Sequence, residues 1–407
     1  MSDRAFDLVL FGATGFTGKL VAEYLARHGP RDLRWAIAGR SKSKLEAVRT
    51  ELGLGELPIH VVDADDEEAL AALAAQTRAV CTTVGPFAKH GVRLVRAAAK
   101  HGTHYCDITG EPQFIRRSID ENHDEAVRTK ARIVHCCGFD SIPFDLGVHM
   151  LWDHAKRRGS KGLAWAKGFC GATKGGMSGG TIASMVGLIE EATRDRDVRR
   201  LLGDPHGLDP VRPGRTDDPF EQDQRSVRWD PDIERWTAPF VMAAINTRVV
   251  RRSNALVEGH YGEHFRYHEA MSMPKGPKGL VAGAALTAGL GGFTAALALP
   301  LSRKLIADKL LPKPGEGPSK EARDAGYFKV RLVAETEEGK KLHGRVEGTS
   351  DPGYGETAKM LGESALCLAK DGARLPPIAG VLTPASAMGM VLVERLRAAS
   401  MTFVVDD

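Results

Sequence analysis

The residues best equipped for chemistry stand close to the amino terminus, where Gly12-Ala13-Thr14-Gly15-Phe16-Thr17-Gly18 follows an apolar run and opens a helical pattern. In that setting the early glycines turn the chain tightly and let backbone N–H groups reach a pyrophosphate, while the last lets helix and strand pack closely. The helix start adds an oriented positive dipole. Further on comes Ala38-Gly39-Arg40-Ser41, where a site for NAD would carry an acid for the ribose 2′-hydroxyl. Arg40 replaces that acid. Its guanidinium offers a fork for a 2′-phosphate, with Ser41 and either Lys42 or Lys44 assisting, so NADP(H) is the expected cofactor. Asp63-Ala64-Asp65 is placed either to reach the adenine edge or to cap a helix. Val84-Gly85-Pro86-Phe87 suits a rigid loop beneath the cofactor ribose.

The elements that must position these residues follow from periodicity. Short apolar runs near Phe6–Phe11, Arg34–Ala38, Ile59–Asp63, Ala79–Thr83, His104–Asp107 and Arg132–Cys136 alternate with helical patterns at Lys19–His28, Lys42–Glu51, Glu67–Gln76, Val92–His101 and Gln113–Thr129. This is the rhythm of βα units feeding a doubly wound parallel sheet, an α/β Rossmann-type domain over residues 1–145. After Asp145 the style changes to glycine-rich loops, a Pro- and Asp-rich stretch from Gly203 to Pro239, and alternating runs Phe328–Ala334 and Leu342–Val346 that predict a β-hairpin. A second, α+β domain is expected over residues 146–350. Residues 351–407 carry helical patterns at Glu356–Lys370 and Pro384–Ala398 that could pack on either domain.

Composition removes several function classes. A formal charge of +4 over 407 residues, with Lys and Arg dispersed among carboxylates, leaves no nucleic-acid footprint. Cys81, Cys106, Cys136, Cys137, Cys170 and Cys367 show no paired CxxC spacing, so neither a metal site nor a disulfide framework is indicated. Met1–Arg4 is too short and polar for a signal peptide, which points to a cytoplasmic protein.

With these motifs in place the chain resembles the saccharopine dehydrogenase-like family. The likeness rests on Gly12–Gly18, Ala38–Arg40, Val84–Phe87, Tyr105–Glu111, Gly138–Pro143 and Gly175–Thr181. The later stretches Asp351–Thr357 and Thr383–Ser386 resemble its trans-acting enoyl reductase branch, from mycobacterial-type complex lipid synthesis. That resemblance implies NADPH reducing a carbon–carbon double bond on a lipid or polyketide chain carried by a polyketide synthase. Two other readings stand beside it: a saccharopine reductase-like amine oxidoreductase, which would need buried cations such as Arg248, Arg251 and Arg252, and a non-catalytic NADP-binding protein of lipid surfaces. A homodimer is left open.

Ser178-Gly179-Gly180-Thr181 precedes the helical pattern Ile182–Thr193, so free N–H groups there could hold a carboxylate or a thioester carbonyl. Asp107, Asp140 and Ser141 are the candidate catalytic residues, each equally suited to a hinge or a helix cap. Tyr105 and His135 read as core, and Cys136 and Cys137 as buried small apolar groups.

Gly279–Ser302 carries no charge and is long enough to cross a bilayer. A crossing would separate the hairpin strands from their partners, and Gly289, Gly291 and Gly292 instead predict two short helices folding back. The pair would shield a hydrophobic tunnel or dip into the inner leaflet of the plasma membrane, making the protein peripheral.

Overall fold

The computed structural model describes residues 4–175, 179–210, 218–256, 261–299, 302 and 317–406. The first strands are β1 (Phe6–Phe11), β2 (Trp35–Gly39), β3 (Ile59–Val61), β4 (Thr77–Thr82), β5 (His104–Cys106) and β6 (Arg132–Val134), all pairing in parallel. Their side chains alternate between two cores, Leu8 and Leu10 on one face, Val9 and Phe11 on the other. Burial on both faces is what an all-parallel sheet requires. Between the strands lie α1 (Phe16–His28), α2 (Lys42–Glu51), α3 (Glu67–Ala75), α4 (Phe87–His90), α5 (Val92–His101) and α6 (Pro112–Thr129). Apart from the short α4, these agree with the helical periodicity to within a turn.

Gly138–Ser141 then leads into α7 (Ile142–Arg157) and the second sheet. Its strands are β7 (Leu163–Lys174), β8 (Arg228–Asp230), β9 (Arg235–Ala238), β10 (Arg266–Ser272), β11 (Tyr327–Thr336) and β12 (Lys341–Gly348). β10 runs parallel to β7, and the other pairs described here are antiparallel. The expected hairpin is β11–β12, in register from Glu335 opposite Lys341, with Gly339 at a positive φ of 81° in its turn. The helices of this half are α8 (Gly179–Arg194), α9 (Arg196–Gly203), α10 (Ala243–Leu256), α11 (Pro277–Ala298) and α12 (Lys320–Asp324).

α11 corrects one expectation. Instead of two helices folding back, one continuous helix spans Pro277–Ala298. A glycine costs a helix about 1 kcal/mol relative to alanine, too little to break a run otherwise rich in Ala and Leu. Gly289, Gly291 and Gly292 have nothing within 4 Å of where a Cβ would sit, so no neighbouring group forces a bend there either.

The last residues divide between both sheets. α13 (Thr357–Lys370) packs on β1, β4, β5 and α1. β13 (Gly380–Leu382) adds beside β6, giving the order β13-β6-β5-β4-β1-β2-β3. α14 (Pro384–Ala398), started by a Thr383–Ser386 capping box, packs on α7, and β14 (Thr402–Asp406) pairs with β12. The junction is pinned by Asp145 of α7, which accepts hydrogen bonds from Ser253 Oγ of α10 at 2.5 Å and the Ala385 amide of α14 at 2.8 Å.

Burial pushes the Asp145 carboxyl up to about 7 and that of Glu269, on β10, up to about 8. The folded chain therefore keeps protons that the unfolded chain releases near pH 4. Their contribution to stability is full below that pH and is lost as pH rises through 7 and 8. The urea midpoint should fall between pH 6 and pH 9, and Glu269→Gln should reduce the fall. A profile equally steep in the variant would show that Glu269 is not the source.

Candidate active site

The β1–α1 turn is built as its glycines require. Gly12 has a positive φ of 94°, and a Cβ on it would lie 2.6 Å from Val84 Cγ2, while one on Gly18 would lie 2.1 Å from the Gly12 carbonyl oxygen. Gly12 donates to Ala38 O at 2.8 Å and Gly15 to Gly12 O at 3.0 Å, and Thr83 Oγ1 bonds the same carbonyl at 3.2 Å. Ala13 is fully buried beneath the turn. α1 has no side-chain cap and no acid in its first turn, so its leading amides remain free for an anion. A cradle closed to any side chain but open to an anion fits a dinucleotide pyrophosphate.

Gly39 ends β2, and Arg40 stands beyond it, exposed and without an ion pair to any described residue. Ser41 begins α2, its hydroxyl 3.3 Å from that of Ser43. Lys44 lines a groove of about 730 Å³ together with Thr14, Gly15, Phe16, Lys320 and Arg323. These cations suit the 2′-phosphate end of NADP(H). Asp63 is turned to another use: its carboxylate accepts the Asp65 amide at 2.9 Å, and Asp66 caps α3. Ala64 packs partly buried against the core of that face.

Thr17, Gly85, Pro86 and Phe87 face a second cavity, of about 650 Å³, lying between the carboxyl edge of the parallel sheet and the second domain. Val84 instead backs the glycine turn. The far wall is apolar, supplied by Met185 and Leu188 of α8, Phe240, Met271, and Leu286 and Leu290 of α11. No Lys, Arg or His is among the described residues that line it.

The candidate catalytic residues separate. Asp140 lines the cavity with no described partner, and burial alone raises its carboxyl to about 6. Asp107 does not reach the cavity. Fully buried, it accepts Tyr105 OH at 2.8 Å and the Thr109 and Cys136 amides at 3.0 and 3.3 Å, and it bonds His135 Nδ1 at 2.8 Å. Every lone pair is used to hold strand ends. Ser141 is likewise turned away, donating to Asn246 Oδ1 at 3.1 Å. Gly179 opens α8 and its amide donates to Tyr354 OH at 3.1 Å, while Gly180 lines the cavity. Ser178 lies outside the described residues, and Thr181 is placed only as a position in the first turn of α8.

Sequence reasoning missed Glu111. Its buried carboxylate accepts the Phe87 and Ala88 amides, each at 2.9 Å, and Ser184 Oγ of α8 at 2.8 Å, joining the cofactor-side loop to the cavity wall. It missed Tyr354 as well, which meets Phe16 edge-on at 4.9 Å. The arginines considered for an anionic substrate are occupied elsewhere: Arg251 donates to the Pro205, Glu221 and Tyr267 carbonyls, Arg252 to those of Leu208 and Val381, and Arg248 to Asp223 and Leu202 O.

Residues 8–134 match the saccharopine dehydrogenase NADP binding domain. Across 98% of this chain and 99% of the other, the fold aligns with apo saccharopine dehydrogenase (L-Glu forming) from Saccharomyces cerevisiae at a TM-score of 0.53 and 14% identity. Fold and turn together define an NADP-dependent oxidoreductase of saccharopine dehydrogenase-like architecture. A Mycobacterium tuberculosis H37Rv protein provisionally named a trans-acting enoyl reductase is 45% identical over 408 residues, covering 98% of this chain and 97% of its own. The trans-acting enoyl reductase of Mycobacterium ulcerans is 39% identical over 404 residues, with 97% and 96% covered. The chain belongs to the trans-acting enoyl reductase family.

Arg40→Ala should weaken NADPH binding by about 1.5–3 kcal/mol, the scale of a charge-assisted hydrogen bond, and leave NADH binding nearly unchanged. Titration by fluorescence tests this, and equal losses for both cofactors would remove Arg40 from the 2′-phosphate site.

Proposed function

We propose that this protein reduces the carbon–carbon double bond of an enoyl thioester with NADPH, acting on a lipid or polyketide chain delivered by a polyketide synthase. The observation that carries the reading is the cavity itself: apolar walls, no cation among its described lining residues, and one unpaired carboxyl, Asp140, beside the loop Gly85–Phe87. A neutral acyl chain is at home there. A doubly charged amino-acid adduct would leave its carboxylates desolvated and unpaired, at a cost of several kcal/mol. The names of the relatives support the same chemistry.

When bound, NADPH supplies a hydride to the β-carbon of the enoyl group. The α8 amides that follow Gly179, beginning with that of Gly180 in the cavity wall, hold the thioester oxygen, on which negative charge develops as the double bond's electron pair moves. Asp140 gives its proton to the α-carbon and regains one from solvent. A carboxyl raised to about 6 is matched to this task, because proton transfer is most effective when the donor's pKa lies near the working pH. Glu111 fixes the distance between the two walls by gripping the amides of α4 and Ser184 of α8.

Asp140→Asn should lower kcat by about 10²–10⁴ while NADPH affinity stays unchanged. In the wild type kcat/KM should decline as pH rises through about 6, since the acid form is the active one, and the residual activity of the variant should be flat there. Turnover of a crotonyl thioester followed by NADPH absorbance reads both. Wild-type kcat in the variant would assign the proton to another donor, and no turnover in the wild type would remove the enoyl reductase reading.

A further inference from the structure

We infer that the outward face of α11 is a docking surface for an anionic lipid leaflet. One side of the helix, Gly279, Gly283, Leu286, Leu290 and Leu297, is turned to the domain, at the spacing of a single helical face. Close approach at Gly283 requires glycine, since a Cβ would lie 3.2 Å from Val227 and 3.3 Å from Met273. The opposite side is apolar and open: Leu280 and Val281 are 42% and 70% exposed, Leu299 just past the helix end is 62% exposed, and only 11% of the helix's most apolar window is buried.

Three observations choose the occupant. No Asp or Glu occurs from Ala270 to Ala307, whereas Lys275 and Lys278 precede the apolar run and Arg303 and Lys304 follow it in sequence. At the start of the helix, Trp236 lies against Gly279 and meets Trp229 edge-on at 5.6 Å, and Trp229 is 49% exposed beside the exposed Arg228. An apolar helix flanked by cations and indoles is the composition that settles at a headgroup boundary. A second copy of this chain fits worse, because two-fold pairing of this face would set cationic ends against cationic ends. The helix lies on the surface rather than crossing it: its inner side packs on β9 and α8, and the strands before and after it, β10 and β11, both pair with β7. Since Leu286 and Leu290 also line the cavity, an acyl chain leaving the leaflet would meet the cavity wall directly. That entry route rests on the acyl substrate proposed above; the docking does not.

The test is flotation of the full chain with vesicles of phosphatidylcholine, with and without phosphatidylglycerol. The wild type should float with the anionic vesicles and be released by salt. The double variant Val281→Asp, Gly291→Asp should reduce the floated fraction about tenfold or more. It should still bind NADPH, because Val281 is exposed and Gly291 has nothing within 4 Å. Independently of any variant, vesicles carrying brominated acyl chains should quench tryptophan emission. A wild type that stays unbound, a variant that floats equally well, or absent quenching would overturn the proposal. So would a concentration-dependent dimer that the double variant dissociates without any vesicle binding. None of these readouts requires turnover, so docking and catalysis can fail separately.

Discussion

The buried carboxylate of Asp107 is the constraint on which the site depends. It sits at the carboxyl ends of β5 and β6, bonded to Tyr105 and His135 and receiving the amides of Thr109 and Cys136. His135 passes the connection on to Ser118 of α6 at 2.8 Å, and the Asp107 carbonyl accepts the Cys137 amide at 2.7 Å. A carboxyl group so deeply buried is tolerated only when its polar atoms are met, and the partners fix the loops that supply them. The two acidic side chains of the cavity region, Glu111 and Asp140, are carried on chain that leaves this hub within a few residues.

From there the electrostatics divide. Glu111 meets helix amides and a hydroxyl, with no cation among its described partners, an arrangement that holds the side chain in place. Asp140 has no partner among the described residues, so burial acts on it unopposed and its carboxyl rises to about 6. Two acids on neighbouring loops thus acquire different roles from their surroundings alone, one as a clamp and the other as the proposed proton donor.

The parallel half was legible because its signals are local. Glycine spacing, strand alternation and Arg40 each follow from a handful of neighbouring residues, and the observed turn and strands agree with them. Asp107 and Ser141 were named as catalytic candidates, but sequence position does not say which way a side chain faces, and both turn into packed networks. Glu111 and Tyr354 carried no local signal, since the side-chain partners of Glu111 lie 23 to 73 positions away, at Ala88, Phe87 and Ser184, and that of Tyr354 lies 175 positions away, at Gly179. The division of residues 351–407 between two sheets was equally invisible, because β13 is three residues long and has meaning only beside β6. At α11, single-residue glycine propensities were read as breaks when the alanine-rich run outweighed them.

The arginines of α10 explain how the described lining of the cavity can lack cations in a protein that has them close by. Arg248, Arg251 and Arg252 turn into the segment that precedes the helix, holding the carbonyls of Leu202, Pro205, Leu208 and Glu221. Burial lowers Arg251 and Arg252 to about 10, still well above neutral, so each remains a charged staple for backbone that would otherwise be poorly paired. Leu202, held by Arg248, is itself part of the cavity wall. The charge that could have bound an anionic substrate instead fixes an apolar surface.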